Sequence, residues 1–183
     1  MIQSQPTPIS DKCSFDSNFE SGNLFAVYQT NKYEYDLLLQ NDINSKGNTQ
    51  WFYFRIVNLP AKTKIKINIV NMLKGDSLFN YGMQPCIHSA EAEKKNGQGW
   101  FRSGSSIKYF RNLNRVDGSN RFYYTLTFTL ATPFENDVIK VAQCYPYTAS
   151  DLGNYLDSIE KKPSKMKIIK RESAGQTVGK NEI

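Results

Sequence analysis

The chain has 183 residues, 39% hydrophobic and 22% charged, with a formal net charge of +6. That is enough for one domain with a proper core plus a tail. No run of eighteen or more apolar residues is present to span a membrane, and the polar segment Met1 to Ser10 lacks the basic and apolar regions of a secretory signal. The three cysteines, Cys13, Cys86 and Cys144, are odd in number and widely spaced. This argues against a disulfide framework and fits a reducing cytosol. Cys144 reads as a strand-end core residue rather than a reactive thiol.

Taken in order, residues 1–14 read as a disordered N-terminus. Phe25 to Gln29 and Tyr33 to Leu39 are short strand candidates. From Gln50 to Asn58, Phe52, Phe54 and Ile56 alternate with Trp51, Tyr53, Arg55 and Val57, so both faces are largely apolar and the strand is central and well covered. From Lys62 to Asn71, Ile65, Ile67 and Ile69 face one way while Lys64, Lys66 and Asn68 face the other. Asn71 falls on the isoleucine side, where a buried amide needs partners and can pin a neighbouring loop. The intervening Asn58-Leu59-Pro60-Ala61-Lys62 reads as a hairpin connection. Ser89 to Gly99, rich in Glu, Lys, Asn and Gly, reads as an exposed loop, and Ser106 to Phe110 as another strand. Phe122 to Leu130 has the cleanest alternation, and a turn at residues 132–137 leads to a final strand, Val138 to Gln143.

Short aromatic and β-branched strands with short connections predict an all-β fold, an antiparallel β-sandwich. One helix follows. Thr148 and Asp151 form a T-x-x-D capping box, and Leu152, Tyr155, Leu156 and Ile159 recur at helical spacing. Pro163 is expected to end this helix. Beyond it Lys161, Lys162, Lys165, Lys167, Lys170, Arg171 and Lys180 make a basic tail, expected to be mostly unstructured. Such a cluster suits nucleic acid, anionic lipid or an acidic protein; the plainer reading is a solvated linker. No aromatics interleave it, which weakens a nucleic-acid reading.

Catalytic signals are sparse. His88-Ser89-Ala90-Glu91 has the H-x-x-E spacing of a zinc ligand pair, but no second histidine exists in the chain. The plainer reading is a surface histidine at a strand end. A nucleophilic triad lacks its partners, no phosphate loop is present, and Gly97-Gln98-Gly99 reads as a loop tip. Trp100, Arg102, Lys108 and Tyr109 form a candidate basic-aromatic patch for protein binding. Tyr145, Pro146, Tyr147, Thr148, Ser150 and Asp151 form a candidate interdomain junction, with the tyrosines packed and their hydroxyls on polar partners.

An ordered set of blocks resembles the amino-terminal domain of the cytosolic metallocarboxypeptidases. The blocks are Phe19-Glu20-Ser21-Gly22-Asn23-Leu24, Tyr35-Asp36-Leu37 through Asn41-Asp42, Thr49-Gln50-Trp51-Phe52-Tyr53-Phe54 and Asn68-Ile69-Val70-Asn71. They continue with Ser77 to Pro85, Gly99-Trp100 with Arg102 and Gly104, Ile107-Lys108-Tyr109, Tyr124 to Phe128, and Tyr145-Pro146-Tyr147-Thr148. Ala149 stands where the family usually has a second aromatic, and Phe25-Ala26 where a basic pair is common.

The resemblance implies a β-sandwich domain over residues 15–147. It implies a junction helix and the start of a carboxypeptidase catalytic domain over residues 148–183, ending at Ile183 before any zinc ligand. It implies a non-catalytic domain that supports folding and positioning of a catalytic domain. The whole enzymes use zinc and remove C-terminal glutamates, notably from polyglutamylated tubulin, so no cofactor is expected in this chain itself. The implied partners are that catalytic domain and tubulin, in the cytoplasm and at microtubules or cilia. Membrane and nucleic-acid partners are not expected. The alternative is a standalone module docking on acidic tubulin tails or on a carboxypeptidase. A sugar- or nucleic-acid-binding sandwich ranks last.

Overall fold

The structure, a computed structural model, describes residues 13–43, 45 and 47–181. The chain divides into two compact units after Pro146. In the first, ten strands form two five-stranded sheets. One has the order β1 (Ser14–Asp16), β4 (Tyr53–Leu59), β10 (Asp137–Ala142), β6 (Cys86–Ser89), β7 (Phe101–Arg102). The other has the order β2 (Leu24–Asn31), β3 (Glu34–Leu39), β5 (Thr63–Met72), β9 (Phe122–Thr132), β8 (Ser105–Arg115).

The alternating apolar residues build the core between the sheets. Phe52, Phe54 and Ile56 face inward from one side; Ile65, Ile67, Ile69, Leu126 and Phe128 face them, all at 0% exposure. The Phe52 and Phe128 rings stack with centroids 6.4 Å apart, and Phe15 of β1 meets Tyr35 of β3 at 4.8 Å. Burying each such side chain contributes roughly 1.5–3 kcal/mol.

The sandwich is antiparallel as expected, except that β3 and β5 pair in parallel. The reason is a change of sheet. After β3 the chain crosses to the first sheet as β4, then returns beside β3 as β5, and such a crossover permits parallel pairing. The segment 58–62 is therefore not a hairpin. Both edges of β4 are taken by β1 and β10, so β5 cannot pair with it. Asn58 (φ 59°) and Lys62 (φ 57°) turn the chain across the sandwich instead.

Two further expectations are corrected. Cys13 is 2% exposed in the core and Ser14 opens β1 opposite Val57, so order begins before residue 15; residues 1–12 lie outside the described residues. The stretch read as a loop holds a helix, α1 (Ala90–Asn96). Ser89 caps it, Glu91 and Glu93 lie in its first turn, Lys94 and Lys95 in its last, and Gly97 ends it at φ 70°. Buried Asp137 completes the cap from β10: its carboxylate accepts from Ser89 Oγ (2.5 Å) and from the Glu91 N–H (3.1 Å). The local signals of a short helix are all present, and the Glu, Lys, Asn and Gly content that suggested a loop belongs to its exposed face and its end.

The second unit begins with α2 (Ala149–Glu160). The Thr148–Asp151 capping box is formed, with Asp151 Oδ2 accepting from the Thr148 N–H at 2.8 Å and Thr148 Oγ1 from the Asp151 N–H at 3.1 Å. The Thr148 backbone N–H first, and then its hydroxyl donating to Oδ2 at 2.7 Å, hold the Asp151 carboxyl below its ordinary range. The helix stops before Pro163, which opens a further short helix, α3 (Pro163–Met166). In the tail Arg171 pairs with Asp157 at 3.0 Å.

The segment between β1 and β2 is held by side chains that imitate backbone. Asn23 Nδ2 donates to Trp51 O (2.7 Å) and its Oδ1 accepts from the Tyr53 N–H (3.0 Å). Trp51 Nε1 donates to Ser21 O at 2.8 Å. At Gly22 an added Cβ would lie 2.2 Å from the Ser17 carbonyl oxygen, so only glycine fits. Gly22→Ala is expected to cost about 2–4 kcal/mol, as overpacking against backbone does. Urea unfolding checks it, and a midpoint equal to that of the parent chain would refute this close-packing account.

Candidate functional site

The outer face of the first sheet carries the residues that most resemble a binding surface. Because Phe54, Ile56, Ile139, Val141 and Ile87 turn inward, the residues between them turn outward. Strand register brings Lys140 opposite both Arg55 and His88, and Ala142 opposite both Tyr53 and Cys86. Arg102 lies opposite Cys86. Two rows result: Arg102, Cys86, Ala142 and Tyr53, then His88, Lys140, Arg55 and Asp16.

Aromatic rings roof the first row. Tyr53 meets Phe19 at 4.8 Å, Trp51 at 6.0 Å and Trp100 at 5.8 Å, all near edge-to-face. Beneath them Cys86 and Ala142 are fully buried and Tyr53 is 6% exposed, forming a second small core on an outer face. Burial pushes the Cys86 thiol up from its ordinary value. Around the rings stand cations. Arg55 pairs with Asp16 and lies 5.8 Å over the Phe19 ring. Arg102 donates to Gln84 O and sits 5.7 Å over Tyr145. Lys140 has no ion pair among the described residues.

His88 is not the surface histidine expected. Its side chain is 13% exposed, its ring lies 5.4 Å from Trp100, and Nδ1 is buried without a hydrogen-bond partner among the described residues. Strand β6 places it in the outer row, where Trp100 covers it. Its carboxylate neighbour is Glu93, with Nε2 at 3.1 Å, whereas Glu91 pairs with Lys95 at 3.7 Å. The H-x-x-E pair is thus split between a strand and a helix.

The four residues of the predicted patch are not brought together. Trp100 and Arg102 belong to the first sheet; Lys108 and Tyr109 lie on β8 of the second. Tyr109 is 5% exposed, stacks on Tyr124 at 5.5 Å, and donates its hydroxyl to Lys74 O. Burial pushes that phenol well above its ordinary value. The chain switches sheets at Gly104 (φ 130°), between the two pairs. The residues that sequence reasoning did not group with the patch, Arg55, Lys140, Tyr53 and His88, come from three separate strands, and only register unites them. Of the junction residues, Tyr145 and Tyr147 are 53% and 66% exposed rather than packed; Pro146 is half-buried and Ser150 exposed. Ala149 and Ser150 open α2 after the Thr148 cap.

A separate cleft of about 410 Å³ lies beside α1, lined by apolar side chains including Ile87, Phe101, Leu130, Phe134 and Ile139. Lys95 stands 4.1 Å over Phe134 at its rim.

Two outcomes test this geometry. Asp16 is held below the ordinary carboxylate value, mainly by the Asn18 N–H and then by Arg55. A depressed folded value contributes stability above the unfolded value near ~3.9 that is lost as pH falls through the folded one. Asp16→Asn should therefore lower the urea midpoint slightly at pH 7, by less than about 1 kcal/mol, and the difference should vanish in acid; a constant difference across pH would contradict the assignment. Second, iodoacetamide should label half-buried Cys144 well before buried Cys86 and Cys13, as read by mass spectrometry of the native protein over time.

Comparison with known proteins places the chain. Residues 15–142 match the family described as the cytosolic carboxypeptidase N-terminal domain. The chain is 38% identical over 181 residues to cytosolic carboxypeptidase 2 of Danio rerio, covering 96% of this chain and 24% of that protein. It is 38% identical over 188 residues to cytosolic carboxypeptidase 4 of Homo sapiens, covering 97% and 17%. It thus spans about a quarter or less of these relatives. A solved metallo-carboxypeptidase from Burkholderia cenocepacia shares the fold, with a TM-score of 0.62 at 17% identity over 93% of this chain and 38% of that one. From the match over most of its length, the chain belongs to the cytosolic carboxypeptidase N-terminal domain family.

Proposed function

We propose that this chain acts as the non-catalytic amino-terminal domain of a cytosolic carboxypeptidase, supporting the folding and positioning of a zinc-bearing catalytic domain. The observation that carries the reading is the coincidence of two boundaries. The family match ends at residue 142, and the compact β unit ends at Pro146. A catalytic domain that removes C-terminal glutamates, with polyglutamylated tubulin among its substrates, is the partner this reading assigns. Cytoplasm, and there microtubules or cilia, is the matching location; the relatives' name, cytosolic, supports the first.

The residues present do not fit zinc. His88, the one histidine, packs on Trp100 and faces Glu93, and no second imidazole exists to complete a His-Glu-His set. No chemical step is assigned to this chain.

The test is reconstitution. The Danio rerio relative stripped of its matching segment should gain soluble yield and glutamate release when this chain is co-expressed. Equal yield and activity without the chain would sink the proposal, as would zinc-dependent glutamate release by the purified chain alone.

A further inference from the structure

The two outer faces of the sandwich differ in chemistry. On the outer face of the second sheet the carboxylates Glu34 and Asp36 are answered by neighbours, while Lys64 and Lys108 have no ion pair among the described residues. Lys66 pairs with Glu34 at 2.7 Å, Asn68 donates to Asp36 at 2.8 Å, and Thr127 donates to Asn68 Oδ1 at 2.7 Å. Lys66, by hydrogen bond and charge, and then Asn68, hold the Glu34 carboxyl below its ordinary range. The centre of that face is a polar ladder.

The first sheet's outer face is built instead around an aromatic cluster. Arg55 and Arg102 stand over aromatic rings with Lys140 in the row beside them, and Asp16 and Glu93 are already engaged, by Arg55 and His88. Both tryptophans of the chain, Trp51 and Trp100, lie on it. Arg, Trp and Tyr around a desolvated centre are the composition of protein-binding hot spots.

We propose that this face binds an acidic polypeptide segment, with its carboxylates on Arg102, Lys140 and Arg55 and its aliphatic carbons against the half-buried rings of Trp100 and Trp51. Strands lie about 4.8 Å apart, so the three strand steps from β4 to β7 span about 14 Å. An extended peptide rising ~3.3 Å per residue crosses that distance in about five residues. Arg is suited to carboxylates by its planar fork. Single-stranded nucleic acid fits less well. The rings pack at interplanar angles of 63–76° against one another, which leaves edges rather than open planes for bases to stack on. The proposal uses residues of the first unit alone and does not depend on pairing with a catalytic domain.

Tryptophan emission reads the face directly. Titrating the full chain with a ten-residue oligoglutamate at low salt should give a saturable change that weakens as salt rises to about 0.5 M. Lys140→Glu should weaken binding by about fivefold or more, equivalent to about 1 kcal/mol. Lys108→Glu on the other sheet and Lys165→Glu in the tail impose the same charge change elsewhere and should leave affinity within about twofold. Should Lys140→Glu melt early by circular dichroism, Arg102→Gln replaces it with the same expected loss. No saturable change overturns the proposal. So does equal weakening by the control substitutions, which would mark attraction to net charge alone, or tighter binding of a ten-nucleotide oligothymidylate than of oligoglutamate.

Discussion

Strand β4 has apolar residues on both of its faces, and the organisation of the domain follows from the need to cover both. Inward, Phe52, Phe54 and Ile56 reach 0% exposure against the second sheet. Outward, Tyr53 would lie bare on a two-layer sandwich. It is covered because the chain between β1 and β2 folds back over it with Phe19, and because Trp51 and Trp100 close from either side. Asn23 fixes that fold-back by bonding both Trp51 and Tyr53. Gly22 lets it pass within contact distance of Ser17. One strand's two-sided burial thus explains the core, the tight segment before β2 and the aromatic roof together.

Where the ladders stop, amide side chains continue them. The parallel register of β3 and β5 runs from Glu34↔Lys66 to Leu37↔Ile69. Two residues on, Asn71 Oδ1 accepts from the Leu39 N–H and Nδ2 donates to Leu39 O, both at 2.9 Å, so a side chain carries the pairing one step further. Thr49 then donates to Asn71 O at 2.6 Å, tying down the segment that leads into β4. Asn112 does the same across β8, donating to Val70 O at 2.8 Å and Thr125 Oγ1 at 3.0 Å. Half-buried backbone groups left without such partners would each cost about 1–3 kcal/mol. These asparagines are structural staples; the alternation predicts Asn71 on the isoleucine side, but the register shift after Ile69 turns Met72 into the core instead, and the Asn71 amide bonds the Leu39 backbone.

What could be read from sequence was whatever has a local period or a local cap. The alternations assigned the inner faces of Ile65, Ile67 and Ile69 in β5 and of Leu126, Phe128 and Leu130 in β9, and Thr148–Asp151 marked the start of α2; a register shift after Ile69 breaks the alternation, so Met72 turns inward and Asn71 is half-buried. What could not be read was which sheet a strand joins. A connection of five residues between two strands that each carry an apolar face suits a hairpin and a crossover equally, because either one can turn those faces to the same core. That ambiguity misplaced residues 58–62 and hid the parallel pair. It also explains the patch: Trp100 to Tyr109 is continuous in sequence, yet the chain changes sheets within it, so Lys108 and Tyr109 joined the wrong partners. Helix α1 had its local signals, Ser89 at the N-cap and Gly97 at the end, but only seven residues with one buried side chain, Ala92, so its composition resembled a loop.

The outer faces show why the candidate surface belongs to the first sheet. A sheet face exposed to water is stable when its polar groups satisfy one another or the solvent, and the Glu34–Lys66 and Asp36–Asn68–Thr127 contacts meet that condition on the second sheet. On the first, two tryptophans, a phenylalanine and a tyrosine gather on the side away from the core, with half-buried Lys140 in the adjacent row. Small Cys86 and Ala142 beneath the rings let them settle close to the backbone, so the roof is rigid rather than loosely exposed. Rigid aromatic surface ringed by arginine and lysine costs little entropy to engage, because its side chains are already held before a partner arrives. The same packing that shields Tyr53 therefore leaves a preorganised, positively charged surface. The chain's net charge of +6 supplies long-range attraction, but the fixed rows of β4, β10, β6 and β7 determine where an acidic partner would be held.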